Sequence, residues 1–181
     1  TQEGIYEHYK YISNNTSKPI IIYNVPGRTC RNISPKTTLR LANDFDSIIG
    51  IKEAGGDMDQ YLELINNKPK DFLIISGDDD LALSSVIAGG HGVISVIGQA
   101  FPRQFSDMIN FALNNDFSSA QLINKQLVKM ISLIFEENNP AGIKSLLHEM
   151  DLCNDILRIP LLSVSPKLRR DILKELDKFI S

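Results

Sequence analysis

Four Ile-rich apolar runs constrain the fold more than any other feature of this sequence: Pro19–Asn24, Ile48–Lys52, Phe72–Ser76 and Gly92–Ile97. They recur at roughly twenty to thirty residues, and each leads through turn residues into a helical pattern, as βα units around a parallel sheet do. The runs are nearly continuous in apolar residues rather than alternating. That predicts strands covered on both faces and excludes an antiparallel sheet with one face in water.

Helix starts punctuate the intervals. Ser34-Pro35 supplies an N-cap followed by proline in the first turn, and Asp57 precedes Met58, Tyr61, Leu62 and Ile65 at helical spacing. A further helix should follow Asp78-Asp79-Asp80, whose carboxylates suit an N-terminus. The first dozen residues, with Ile5, Tyr9 and Ile12, predict a helix leading into the first strand. Beyond the fourth run only helices are expected, at about 102–113, 118–135, 140–150 and 166–180, with Asn139-Pro140 and Ser165-Pro166 as starts. Leu122, Ile123, Leu127, Met130, Ile131 and Ile134 form a stripe that reads as helix packing. The expected division is a sheet-bearing domain over 1–114 and a helical extension over 115–181.

Composition narrows the function classes. Of 181 residues 43% are hydrophobic and 23% charged, enough to bury a core. The formal net charge of −3 argues against nucleic acid or an anionic membrane as the partner. The two cysteines, Cys30 and Cys153, are too far apart for a CxxC site and suit a reducing, cytoplasmic setting. No apolar stretch reaches the length of a membrane span, and no leader is evident. His91 has no neighbouring ligand at metal-binding spacing, so no metal is expected.

Four βα units do not close a (β/α)8 barrel. The pattern alone is compatible with a short doubly wound sheet or with part of a barrel. In both, ligands bind at the carboxyl ends of the strands, and there the sequence places Tyr23 and Asn24, Lys52 and Glu53, Ser76 and Asp78, and Ser95. Lys52 ends an apolar run, where desolvation would favour its free amine as a nucleophile towards a keto group. Taken alone, such a lysine more commonly covers apolar surface with its stem. Tyr23, ending the neighbouring strand, is placed to pass protons, or to pack. Arg28, after the Val25-Pro26-Gly27 turn, is suited to clamp a carboxylate, or to pair with a surface acid. The glycines of Ala88-Gly89-Gly90-His91-Gly92 read as a helix end and tight turn, the phosphate-binding alternative being weaker because they precede a strand.

Together, Tyr23-Asn24-Val25-Pro26-Gly27-Arg28-Thr29, Gly50-Ile51-Lys52-Glu53-Ala54, Ser76-Gly77-Asp78-Asp79 and the segment from Gly89 to Val96 resemble the 4-hydroxy-tetrahydrodipicolinate synthase (dihydrodipicolinate synthase) family. Asn139-Pro140 with Lys144 resembles its helical tail. The resemblance implies four βα units from the C-terminal half of a (β/α)8 TIM barrel, followed by a helical C-terminal extension. It implies that Lys52 forms an imine with pyruvate and that Tyr23 relays protons. Arg28 would hold the carboxylate of aspartate 4-semialdehyde, and the main chain of Gly77 and Ile94 would line the pyruvate pocket. It further implies no external cofactor, a homo-oligomer, and a place in lysine and diaminopimelate biosynthesis. Cys30 stands where the family commonly has glycine, and Ile97-Gly98-Gln99-Ala100 departs from the commoner threonine-containing form.

By the same resemblance, Thr1 aligns with the helix before the fifth barrel strand. The first half of the barrel, with its Gly-Thr-Thr segment, the tyrosine offered across a subunit interface and most of the lysine feedback site, would lie outside these residues. Two other readings stay open: another pyruvate-dependent aldolase such as N-acetylneuraminate lyase, and a non-catalytic half-barrel acting as an assembly module.

Overall fold

The four apolar runs become four parallel strands lying side by side in chain order: β1 (Ile20–Asn24), β2 (Ile48–Glu53), β3 (Leu73–Ser76) and β4 (Gly92–Val93). The computed structural model describes residues 1–180, with the side chain of Ile180 excepted. Within it the chain divides into two compact units, Thr1–Ile94 and the part from Ser95 onward.

The first unit alternates strand and helix: α1 (Gln2–Asn14), α2 (Pro26–Thr29), α3 (Pro35–Asp44), α4 (Met58–Asn67) and α5 (Ala82–Ile87). The caps explain where helices begin. Ser34 Oγ accepts the Thr37 amide at 3.2 Å, with Pro35 in the first turn. Asp57 accepts the Asp59 and Gln60 amides, satisfying donors that a helix N-terminus leaves open. The aspartate run behaves differently from the expectation. α5 starts at Ala82 behind Leu81 without a side-chain cap, because Asp78 turns to the Gly56 amide at 3.0 Å and Asp80 to the Leu81 amide.

Two further expectations are corrected. Strand structure in the fourth run ends at Val93. β3 stops at Ser76, whose carbonyl takes the Ile94 amide at 2.8 Å as the last link, and Ser95 Oγ then accepts the Gly98 amide, opening a 3₁₀ turn at Ile97–Gln99. Nor are both sheet faces covered. Ile22, Ile51 and Ile74 are completely buried in one core with Tyr6 of α1, Leu41 of α3, and Tyr61 and Leu64 of α4. On the opposite face Ile21 and Tyr23 are exposed and Lys52 is half-buried. Helices gathered on a single face are the arrangement of a barrel segment, where a doubly wound sheet would carry them on both.

The second unit is helical: α6 (Pro102–Leu113), α7 (Phe117–Glu136), α8 (Ala141–Glu149) and α9 (Pro166–Ile180). Leu127, Met130, Ile131 and Ile134 of the expected stripe are buried, whereas Leu122 is exposed. Because α6 packs on α7, the division at Ile94 falls before α6 and not at residue 114. Gly142 of α8 meets the main chain of α7 so closely that a Cβ there would collide with the Ile134 carbonyl. No helix among the described residues is long and apolar enough to cross a membrane.

Candidate active site

Parallel pairing of β1 with β2 sets Tyr23 opposite Lys52 and Asn24 opposite Glu53; β2 with β3 sets Lys52 opposite Ile75 and Glu53 opposite Ser76. Since successive side chains point to opposite faces of a strand, this register makes two polar layers at the carboxyl edge. Tyr23 and Lys52 are on the open face; Asn24, Glu53 and Ser76 are on the face covered by helices.

On the open face the Lys52 amine lies 4.2 Å from the centre of the Tyr23 ring, a cation–π distance. The stem of Lys52 runs over Gly77. A Cβ there would lie 2.8 Å from Lys52 Cε and 2.7 Å from Ala54 Cβ, so only glycine admits the lysine in this position. The Gly77 amide donates to the Glu53 carbonyl at 2.6 Å and the Ile94 amide to the Ser76 carbonyl at 2.8 Å. These two bonds carry β2, β3 and the chain after β4 in step past the lysine. The Ile94 side chain is exposed. Arg28 is exposed on α2, the single turn that begins two residues after β1 and ends on Cys30 in the left-handed region at φ 55°. The structure thus brings Tyr23, Lys52 and Gly77 into direct proximity. Ile94 adjoins the end of β3, and Arg28 stands on the loop leaving β1.

The covered layer is a hydrogen-bonded network. Both Glu53 carboxylate oxygens accept from Asn24 Nδ2 at 2.9 Å; Oε2 also accepts from Gln60 Nε2 at 2.8 Å and Oε1 from the Gly55 amide at 2.8 Å. Asn24 also donates to Asn32 Oδ1 at 2.7 Å and accepts the Ile33 amide at 3.0 Å, while Asn32 Nδ2 donates to Gln60 Oε1 at 2.8 Å. Tyr61 donates its hydroxyl to the Glu53 carbonyl and meets Ser76 Oγ at 2.9 Å. Burial raises the Glu53 carboxyl above its ordinary pKa, the bonds from Asn24, Gln60 and Gly55 opposing it. Burial likewise raises Asp78, against the Gly56 amide.

Sequence reasoning sets Asn24, Glu53 and Ser76 on the ligand edge beside Tyr23 and Lys52. The period of two at the strand ends separates them. Gln60 and Asn32 escape that reasoning, although Gln60 is a polar residue on the apolar side of α4, a signal for a buried partner. His91 accepts the Ile74 amide through Nδ1 at 3.1 Å, a bond that ties the turn before β4 to β3. Among the described residues no group of three His, Cys, Asp or Glu side chains is placed to hold a metal ion.

The Dihydrodipicolinate synthetase family model matches residues 1–179. The chain belongs to this family. It is 47% identical over 179 residues to the 4-hydroxy-tetrahydrodipicolinate synthase of Flavobacterium psychrophilum, covering 99% of this chain and 60% of that protein. A crystal structure of dihydrodipicolinate synthase from Aquifex aeolicus superposes with a TM-score of 0.96 at 36% identity, covering 99% of this chain and 61% of the other. A chloride-inhibited dihydrodipicolinate synthase from Acinetobacter baumannii, complexed with pyruvate, gives a TM-score of 0.94 at 36% identity, covering 98% and 60%. The chain therefore spans about three fifths of the length of the synthases it matches, and the α/β architecture with its one-sided helices is a segment of their fold.

Proposed function

We propose that this chain carries the imine-forming site of a 4-hydroxy-tetrahydrodipicolinate synthase, which joins pyruvate to aspartate 4-semialdehyde in lysine and diaminopimelate biosynthesis. The observation that carries this reading is the Lys52–Tyr23 pair on the open face, 4.2 Å from amine to ring centre, in a chain of this family. A relative of the same fold holds pyruvate.

In this reading the Lys52 amine attacks the keto carbon of pyruvate, and loss of water leaves the iminium. The Tyr23 hydroxyl gives and takes protons as the carbinolamine forms and collapses. The main chain of Gly77 and Ile94 lines the pyruvate pocket. Loss of a methyl proton turns the iminium into an enamine, whose carbon attacks the aldehyde. Arg28 holds the carboxylate of that second substrate, a task that suits the planar fork of a guanidinium. The amine of the semialdehyde then displaces Lys52 as the ring closes, so the lysine is regenerated and no external cofactor enters. The expected context is a homo-oligomer in the cytoplasm.

The test is incubation of the chain with pyruvate and sodium borohydride, followed by peptide mapping in a mass spectrometer. A reduced pyruvate adduct on Lys52 is expected, lost in Lys52→Met. Absence of the adduct, under conditions that label a full-length synthase, would rule the site incompetent.

A further inference from the structure

The groups bonded to the Glu53 carboxylate are all donors: Asn24 Nδ2, Gln60 Nε2 and the Gly55 amide. The carboxylate is completely buried, and the groups holding it are neutral. A buried carboxyl is costly unless its acceptor sites are filled, so one kept here among neutral donors has to serve the geometry around it. Two things hang from that geometry. Asn24 and Glu53 are the immediate chain neighbours of Tyr23 and Lys52, and they lie opposite each other across the same strand pair. The excursion that carries Arg28 leaves the sheet at Asn24 and is tied back to the Asn24 side chain at Asn32 and Ile33.

We propose that Glu53, with Asn24, Gln60 and Asn32, is a positioning residue that fixes the Lys52 amine over Tyr23 and anchors the Arg28 excursion to the same strand ends. The proposal rests on the imine reading for its chemical meaning, but its geometry can be read without substrate. Glu53 touches no reacting atom; it acts through the backbone one residue away.

Donor and acceptor roles dictate the test. Glu53→Gln places an amide NH₂ among donors, leaving buried groups facing like partners. Adding Gln60→Glu reverses the pair: the amide introduced at position 53 then donates to a carboxylate on α4, whose second oxygen still accepts from Asn32 Nδ2. Because the Lys52 amine stands over the Tyr23 ring, the ring current should shift the Lys52 ε-methylene protons upfield, and Tyr23→Leu assigns that signal by abolishing the shift. In E53Q, folded by circular dichroism, the upfield shift is expected to collapse and the rate of pyruvate trapping to fall by about a hundredfold, the cost of misplacing a reacting group by about an ångström. The double variant E53Q/Q60E is expected to restore both.

A folded E53Q that keeps the shift, or a double variant that restores neither readout, overturns the proposal. Where E53Q does not fold, Asn32→Ala at an exposed position takes its place. Faster amide exchange over residues 27–31, with weaker retention of succinate semialdehyde by the pyruvate-loaded chain, is expected, and unchanged exchange there overturns the proposal. If the unaltered chain traps no pyruvate, the imine reading falls, and the ring-current comparison still decides this one.

Discussion

The Lys52 amine sits 4.2 Å from the centre of the Tyr23 ring, and the Cα atoms of the two residues are direct partners across a parallel strand pair. Their proximity is therefore a property of the sheet, not of a loop. Removing the Tyr23 hydroxyl should leave the ring in place and the proton path broken. Tyr23→Phe is expected to slow borohydride-trapped adduct formation by about a hundredfold, with a stability change within ~0.5 kcal/mol because the side chain is exposed. An unchanged trapping rate would restrict Tyr23 to a packing role.

Gly77 admits no side chain beside Lys52 Cε and Ala54 Cβ. Gly77→Ala must push the lysine stem or the strand aside. The expected cost is about 1–3 kcal/mol in urea unfolding, typical of overpacking, together with a trapping rate reduced by a larger factor than in Tyr23→Phe. Wild-type trapping in a destabilised Gly77→Ala chain would show that Lys52 has another productive position.

His91 accepts the Ile74 amide through Nδ1. Partial withdrawal of the ring from water, then the charge of Lys68, lower its pKa, and a bond accepted by Nδ1 requires the neutral ring. A histidine with a lowered folded pKa is stable as the neutral ring. Its contribution is complete above the ordinary value of 6.5 and is lost as pH falls, when the unfolded chain takes the proton more readily. The urea midpoint should therefore decline as pH falls through the unfolded value of 6.5. His91→Asn, which offers a non-titrating acceptor, should remove His91's share of that decline; an identical slope in both chains would assign it elsewhere.

Gly142 stands against the backbone of α7, where a Cβ would collide with the Ile134 carbonyl. Backbone cannot rotate away as a flexible side chain does. Gly142→Ala should destabilise the helical unit by about 3 kcal/mol, measured as a shift in its urea transition, with the pyruvate adduct at Lys52 unaffected. A melt superimposable on wild type would mean that α8 shifts freely along α7.

The strands were legible because runs such as Ile20–Ile22 and Phe72–Ile75 satisfy both apolar content and turn spacing, and Lys52 stood out because a charge ends such a run. Two things were not legible. Gly92–Ile97 reads as a full strand, but a strand lasts only as long as its neighbour, and β3 has already turned at Gly77. Isoleucine on both faces of β1 suggested two covered faces; Ile21 is exposed all the same, since composition records which residues tolerate burial and not whether a partner surface is present. Within the site, Tyr23, Lys52 and Gly77 stand out by motif and position, whereas Gln60 and Asn32 join through a network that only the fold assembles.

The one-residue pleat between Lys52 and Glu53 separates two kinds of heritable change. Substitutions on the open face alter the groups around Lys52 while leaving the strand ends standing. Substitutions one step along the chain have to arise in matched pairs, donor for acceptor, to be tolerated. If Arg28 holds the second substrate as proposed, divergence towards another second substrate should leave its trace there, and leave Asn24, Glu53 and Gln60 to change together or not at all.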